Sequence, residues 1–459
     1  MHRNERTPTV TAEAIVMNRS AVALAADSAV TFDSSAGIKT YDTANKLFEL
    51  IKGSNIGIMI YNSAEINSTP WETVIKTYRH EHPTFSASHV QDYANHFLDY
   101  ISAHTGLITP EDERITAEMM ARYQIVANLV GVLFDSPERL VTDTGRIIKT
   151  RVRAAVNRIL AEWNSQLQAV QDINTGNADL NSLRTTFRDP IITTAQEIFD
   201  ENDIPYTRTQ LQGVADNVLL SFTKYVDHPF DTGLVFAGFG TADYFPCMAS
   251  AGISARFCGS ALTYDDAVVR ITAERRGHWE TFAVDGPAKG WANGIHDQMR
   301  TAVVLHWGQW ISHLLPKQLK SSLKDEGFTS DQMSKIVKSV GEIAKNQYGE
   351  FGQHMLNIEH SMFRDPMAAS IELLPKDELA ILAESLVNLT SLRHRMTIDQ
   401  QNIVGGPIDV ALISIGDGFV WLRRKHYFDN VLNPTWHLTH GASIRTRVTT
   451  STGGSDDTS

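Results

Sequence analysis

The sequence predicts an α+β protein in which two antiparallel sheets stack face to face and helices cover their outer faces. Two observations carry that reading. Short apolar runs come in pairs joined by turn residues, and such pairs make antiparallel ladders, whereas a parallel sheet needs a crossover between successive strands. Between the pairs the hydrophobic period changes from two to about 3.6 residues over long stretches, which predicts helices. The resulting order is strands, helices, strands, helices, strands.

The first pair is Ala12–Met17 and Ala21–Ala26, joined by the polar trio Asn18, Arg19 and Ser20. Lys46–Ile51 and Asn55–Tyr61 form a second pair around Lys52, Gly53 and Ser54. A helix opens at Trp71 and runs to Arg79; the next occupies Ser88–Ser102, with Val90, Tyr93, Ala94, Phe97 and Ile101 at helical spacing. From about Pro110 to Val226 the pattern is helical almost throughout, with Arg139–Val170 the longest candidate. Strand character returns at Leu234–Ala237, Met248–Phe257, Ala267–Glu274 and Trp279–Val284. Helices are expected over Ala292–Leu315 and about Lys317–Asn357, and again from Leu374, where Pro375, Asp377 and Glu378 suit a first turn. The stripe of Trp307, Trp310 and Leu314 is expected in the core. Ile408–Ser414 and Phe419–Leu422 flank the turn at Gly416, Asp417 and Gly418, which predicts a last hairpin. The tail, Thr446–Ser459, is rich in Ser, Thr, Gly and Asp and is expected to be disordered.

Composition narrows the function. With 459 residues the chain exceeds one minimal domain, and 42% hydrophobic with 20% charged residues suits a globular protein. A net charge of −12, from 41 basic and 53 acidic residues, argues against a partner read through a phosphate backbone, so no nucleic acid is expected. Two cysteines, Cys247 and Cys258, cannot build the disulfide framework of a small secreted domain. There is no apolar signal segment and no run of about 18 apolar residues, so a cytoplasmic protein without a membrane partner is expected. Gly238-Phe239-Gly240 lacks the third glycine of a dinucleotide loop, and neither His306 with His313 nor His354 with His360 has the spacing of a zinc-peptidase helix. No cofactor and no metal are expected. The basic run Arg423, Arg424 and Lys425 reads as a solvated strand edge.

The segment from Thr11 through Ala25, Ala26, Asp27 and Ser28 resembles the start of a mature proteasome β-subunit, where an N-terminal Thr begins a strand and an Ala-Ala-Asp triplet closes the next at the same spacing. Asn45-Lys46-Leu47-Phe48 looks like that family's catalytic-lysine strand, displaced by about three residues in the preceding loop. Asn55–Tyr61 is similar to the strand that follows, and Gly405–Gly418 resembles the family's last hairpin. The resemblance implies an N-terminal-nucleophile hydrolase with a four-layer αββα sandwich carrying large helical insertions. On that basis 1–10 is a leader, 11–105, 231–312 and 366–445 build the sandwich, and 106–230 and 313–365 are insertions, ahead of the tail 446–459.

In such an enzyme a Thr hydroxyl attacks a peptide carbonyl while the free α-amine of the same residue acts as base. A nearby ammonium lowers the amine's basicity, and a carboxylate holds that ammonium in place. Matched position by position, the resemblance makes Thr11 the nucleophile, Lys46 the electrostatic partner and Asp27 its anchor, with the backbone N–H of Tyr61 or Asn62 as oxyanion donor. Asp399 matches a supporting Asp only with about two extra residues, and Gln401 sits at the ungapped position. Departures from the family are equally specific: Val10 stands before Thr11 where self-cleaving members place Gly, and Ala29 where an Arg is common. Two functions are therefore expected to compete. One is a threonine-type peptidase acting on peptides or unfolded proteins within a homo-oligomer; the other is a non-catalytic scaffold that binds a partner through its helical insertions.

Overall fold

The computed structural model describes residues 12–34, 37–41, 44–135, 140, 147–226, 228–283, 286–396 and 405–426. In chain order the strands are β1 Ala12–Asn18, β2 Val22–Ala26, β3 Val30–Ser34, β4 Gly37–Tyr41, β5 Leu47–Glu49, β6 Ile56–Asn62, the short β7 Glu65–Ile66 and β8 Thr69–Pro70, β9 Thr232–Gly238, β10 Cys247–Phe257, β11 Ser260–Arg270, β12 Gly277–Ala283, β13 Asp409–Ser414 and β14 Gly418–Arg423. Ten of them form two antiparallel five-stranded sheets, in the orders β12-β1-β2-β13-β14 and β11-β10-β9-β6-β5. The fold is thus mixed α+β with antiparallel sheets, as the paired apolar runs predict.

The faces of the sheets follow from strand alternation. On β1 and β2, Ile15, Met17, Val22, Leu24 and Ala26 point toward Met59, Val235, Ala237 and Met248 of the other sheet, and together they form one apolar cluster between the sheets. Contact there is close: a Cβ on Gly57 of β6 would lie 2.7 Å from Leu24 and 3.0 Å from Ile413. The alternate residues Ala12, Ala14, Val16, Ala21, Ala23 and Ala25 face helices on the other side. Small side chains on that face let a helix approach the sheet. Its main occupant is the long helix Lys376–Met396, through Leu379, Ala383, Leu386 and Val387.

The helices before it are α1 Trp71–Glu81, α2 Val90–Ala103, α3 Pro110–Ile125, α4 Gly131–Phe134, α5 Lys149–Ala169, α6 Leu180–Glu201, α7 Arg208–Ser221, α8 Gly286–Asn293, α9 Asp297–Gln309, α10 Leu315–Asp325, α11 Ser330–Glu359 and α12 Asp365–Glu372; Lys376–Met396 is α13. Helices α1 and α2 cover the outer face of the second sheet, burying Trp71, Tyr78, Tyr93 and Phe97 against Ile58, Ile60, Leu234 and Phe236. Helices α3 to α7 share a core of their own, joined to that sheet through Ala255, Phe257 and Leu262 of the β10–β11 hairpin. The buried Arg256–Glu113 ion pair fastens the same junction.

Several expectations need correction. The strand placed at Ala267–Glu274 begins at Ser260, because Cys258 and Gly259 take left-handed backbone (φ +49° and +74°) and close a tight hairpin from β10. The helix expected over Ala292–Leu315 breaks at Gly294 (φ +72°) and restarts behind the His296 cap. Likewise, Gly327 (φ +83°) and the Thr329 cap divide the next helical stretch into α10 and α11. Trp310 and Leu314 are 36% and 46% exposed and Trp307 is half-buried, so the stripe is not core. A further hairpin, β3–β4, lies between Asp27 and Lys46.

Candidate active site

Asp27 follows β2 directly, at the point where the chain leaves the sheet. Its backbone N–H donates to the carbonyl of Ala12 at 3.1 Å, and the N–H of Ala12 donates to its Oδ1 at 3.4 Å, so the carboxylate caps the head of β1. The N–H of Gly405 donates to Oδ2 at 3.2 Å. Ser28 then ties the same corner to the loop before β13: its N–H donates to the carbonyl of Gly405 at 3.4 Å and its hydroxyl to that of Pro407.

Lys46 enters from the opposite sheet. It precedes β5, and its carbonyl accepts from the N–H of Ile60 at 2.9 Å, which fixes its backbone against β6. Its ammonium reaches Asp27 Oδ1 at 2.5 Å and Glu13 Oε1 at 3.7 Å. All three side chains are buried, Lys46 at 3% exposure and the two carboxylates at 0%. Burial is the largest influence on Asp27 and pushes its carboxyl up, while Lys46 and the N–H groups of Ala12 and Gly405 pull it down.

The structure therefore brings Asp27 and Lys46 into direct contact across the two sheets. Tyr61 and Asn62 follow the residue bonded to Lys46, at the end of β6. The Tyr61 ring stacks on Phe282 at 5.2 Å and occupies the space above Gly233, where a Cβ would lie 1.8 Å from it. Asn62 holds φ +66°, a left-handed conformation that Asn tolerates better than most residues. Thr11 and Asp399 lie outside the described residues, as does Gln401; the residue after Thr11 is Ala12, whose N–H rests on Asp27.

Glu13 was not singled out by sequence, although a signal exists. It is the one charged residue in the strand Ala-Glu-Ala-Ile-Val-Met, and alternation sets it on the face of Ile15 and Met17, between the sheets. Lys425 is a correction. Arg423 is exposed and pairs with Glu384, and Arg424 lies over the Trp421 ring at 4.6 Å, but Lys425 is 11% exposed and reaches Asp409 Oδ2 at 2.5 Å. The basic run is a solvated edge only in its first two members.

No protein-family model and no curated protein matches the chain. A solved structure of an Anbu mutant from Hyphomicrobium sp. strain MC1 is similar over 95% of this chain and 98% of its own, at 10% identity and a TM-score of 0.25. That likeness is weak, and the architecture rests on the strands, their register and the apolar clusters. Among the described residues no helix is long and apolar enough to cross a membrane, and no group of three or more His, Cys, Asp or Glu side chains could hold a metal ion.

Proposed function

We propose that this chain is a proteasome-like threonine-type peptidase of the N-terminal-nucleophile class, with a four-layer αββα body, acting as a homo-oligomer on peptides or unfolded proteins. The observation that carries this reading is the buried contact of Asp27 with Lys46 at 2.5 Å, beside the residue that follows Thr11. The three apolar clusters, one between the sheets and one on each outer face, support the four-layer body.

Removal of residues 1–10 exposes the Thr11 α-amine, whose ordinary pKa is about 7.7–8.0. The neutral amine takes the hydroxyl proton as Oγ bonds to the substrate carbonyl carbon. The peptide C–N bond then breaks, and the leaving amine departs with that proton. Water, deprotonated by the same amine, cleaves the resulting ester and regenerates the hydroxyl. Lys46 keeps the amine from holding its proton too tightly and favours negative charge on the attacking oxygen; Asp27 keeps Lys46 in place. The N–H of Tyr61 or Asn62 stabilises the oxyanion, a contribution of about 2.7–4 kcal/mol for one donor.

Protein produced so that its first residue is Thr11 is expected to cleave fluorogenic peptides, and its Thr11→Ala form to be inert. Equal rates for both would refute the assignment. The scaffold reading draws on Val10, a β-branched residue ill suited to the turn that self-cleavage needs. It predicts an unprocessed N-terminus and partner binding indifferent to Thr11→Ala.

A further inference from the structure

A second buried ion pair borders the first. Asp409 opens β13 directly opposite Ala26, the residue before Asp27. Both its oxygens are taken by one residue: Oδ1 accepts the backbone N–H of Lys425 at 2.9 Å and Oδ2 its ammonium at 2.5 Å. The ladder between β13 and β14 shifts register between Val410 and Ala411, and just beyond β14 the Lys425 side chain lies on Asp409. Burial is the main influence on the Lys425 ammonium and lowers its pKa; Asp409 and Asp27 raise it, and Lys46 lowers it. Asp409 and Glu13 flank Ala26 from the two neighbouring strands, so the Lys425–Asp409 pair lies in the same cross-strand row as the Glu13 that reaches Lys46.

We propose that Lys425, clasped by Asp409, is a positioning residue for the Asp27–Lys46 pair: its ammonium supports the ionised form of Asp27, and Asp27 in turn fixes Lys46 at the head of β1. The physical need is plain. A buried carboxylate is penalised by desolvation, and a second cation behind it offsets part of that penalty without occupying the oxygens already used by Lys46, Ala12 and Gly405. Among the described residues, the charged groups around Lys425 are Asp409 on β13, Lys46 before β5 and Asp27 after β2, with Glu13 on β1 reaching Lys46. The catalytic meaning of this arrangement rests on the peptidase reading; the electrostatic coupling does not.

The test is therefore a titration that needs no activity. The full chain is labelled with 13C at aspartate carboxyls, the Asp27 resonance is assigned by its loss in Asp27→Asn, and its midpoint is followed in the unaltered protein, Lys425→Met and Lys425→Arg. Lys425→Met is expected to raise the Asp27 midpoint by about half a pH unit or more, and Lys425→Arg to leave it in place. Should Lys425→Met fail to fold, Lys425→Gln, which keeps a donor for Asp409 without the charge, gives the same readout. A lowered melting temperature with an unmoved midpoint makes the pair a structural clasp and overturns the proposal. In protein beginning at Thr11, the charge-removing variant is expected to lower kcat with KM unchanged. If the unaltered protein hydrolyses nothing, the peptidase reading fails while the titration result stands on its own.

Discussion

At the residue scale, the site is a problem of buried charge. Asp27 and Lys46 are each almost wholly removed from water, and such a pair repays its desolvation only when geometry and additional hydrogen bonds are good. The Asp27 oxygens meet Lys46, Ala12 and Gly405, which offset part of the cost of burial but not all of it. Removing one partner is then costly: Lys46→Met is expected to destabilise the fold by about 3–5 kcal/mol, read by urea unfolding, while Asp27→Asn with Lys46→Met recovers much of that loss. Activity should not return in the double variant; a loss in kcat of about 100-fold or more is expected from Lys46→Met and from the pair. The pH dependence has a definite sign. Burial raises the folded pKa of Asp27 above its unfolded value, so the folded state holds the proton more tightly. The stability from this group is full below the unfolded pKa of about 3.9 and is lost as pH rises through the folded value. Asp27→Asn, whose amide does not titrate, should flatten that part of the stability-versus-pH curve; an unchanged slope would mean that Asp27 titrates as an exposed carboxyl does.

At the element scale, the strands that deliver these side chains depend on close backbone approach. Gly238, in β9 between β6 and β10, has φ +142°, and a Cβ there would lie 1.8 Å from the carbonyl oxygen of Asn55. Because that neighbour is backbone and cannot swing away, Gly238→Ala is expected to cost at least about 3 kcal/mol. Gly53, in the open turn between β5 and β6, meets nothing within 4 Å, so Gly53→Ala should cost only the left-handed backbone term of about 1–2 kcal/mol. Thermal unfolding of the two variants side by side checks the ranking. Much of this level was legible in sequence. Ala12–Met17, Ala21–Ala26 and Asn55–Tyr61 announce β1, β2 and β6 because each is predominantly apolar, Glu13 being the one charge among them, and lies next to a turn. Asp27 and Lys46 could be paired through resemblance, since no local pattern links two residues that approach from different sheets. What escaped was non-local. Nothing short-range distinguishes Lys425 from Arg423 and Arg424; what sets it apart is its contact with Asp409, a residue of the neighbouring strand 16 positions earlier.

At the scale of the whole molecule, two sheets with a shared apolar interior hold the site, and helices supply both outer faces. The helices α3 to α7 add a separate core, pinned through Arg256, Glu113 and the Asn67 side chain that bonds the Arg256 backbone. If Thr11 serves the proposed catalysis, light scattering on the unaltered protein and on Thr11→Ala should give the same assembly size; a change in size would place Thr11 in assembly instead.

In the proposed reaction Thr11 acts as a free N-terminal nucleophile beside the Asp27–Lys46 pair. Intact-mass measurement and N-terminal sequencing after treatment with a peptide epoxyketone, which captures a hydroxyl and a free amine on one residue, test it in a single experiment. The expected result is a chain beginning at Thr11 that carries one adduct there, with no adduct on Thr11→Ala. A chain still beginning upstream of Thr11 and unlabelled would contradict it.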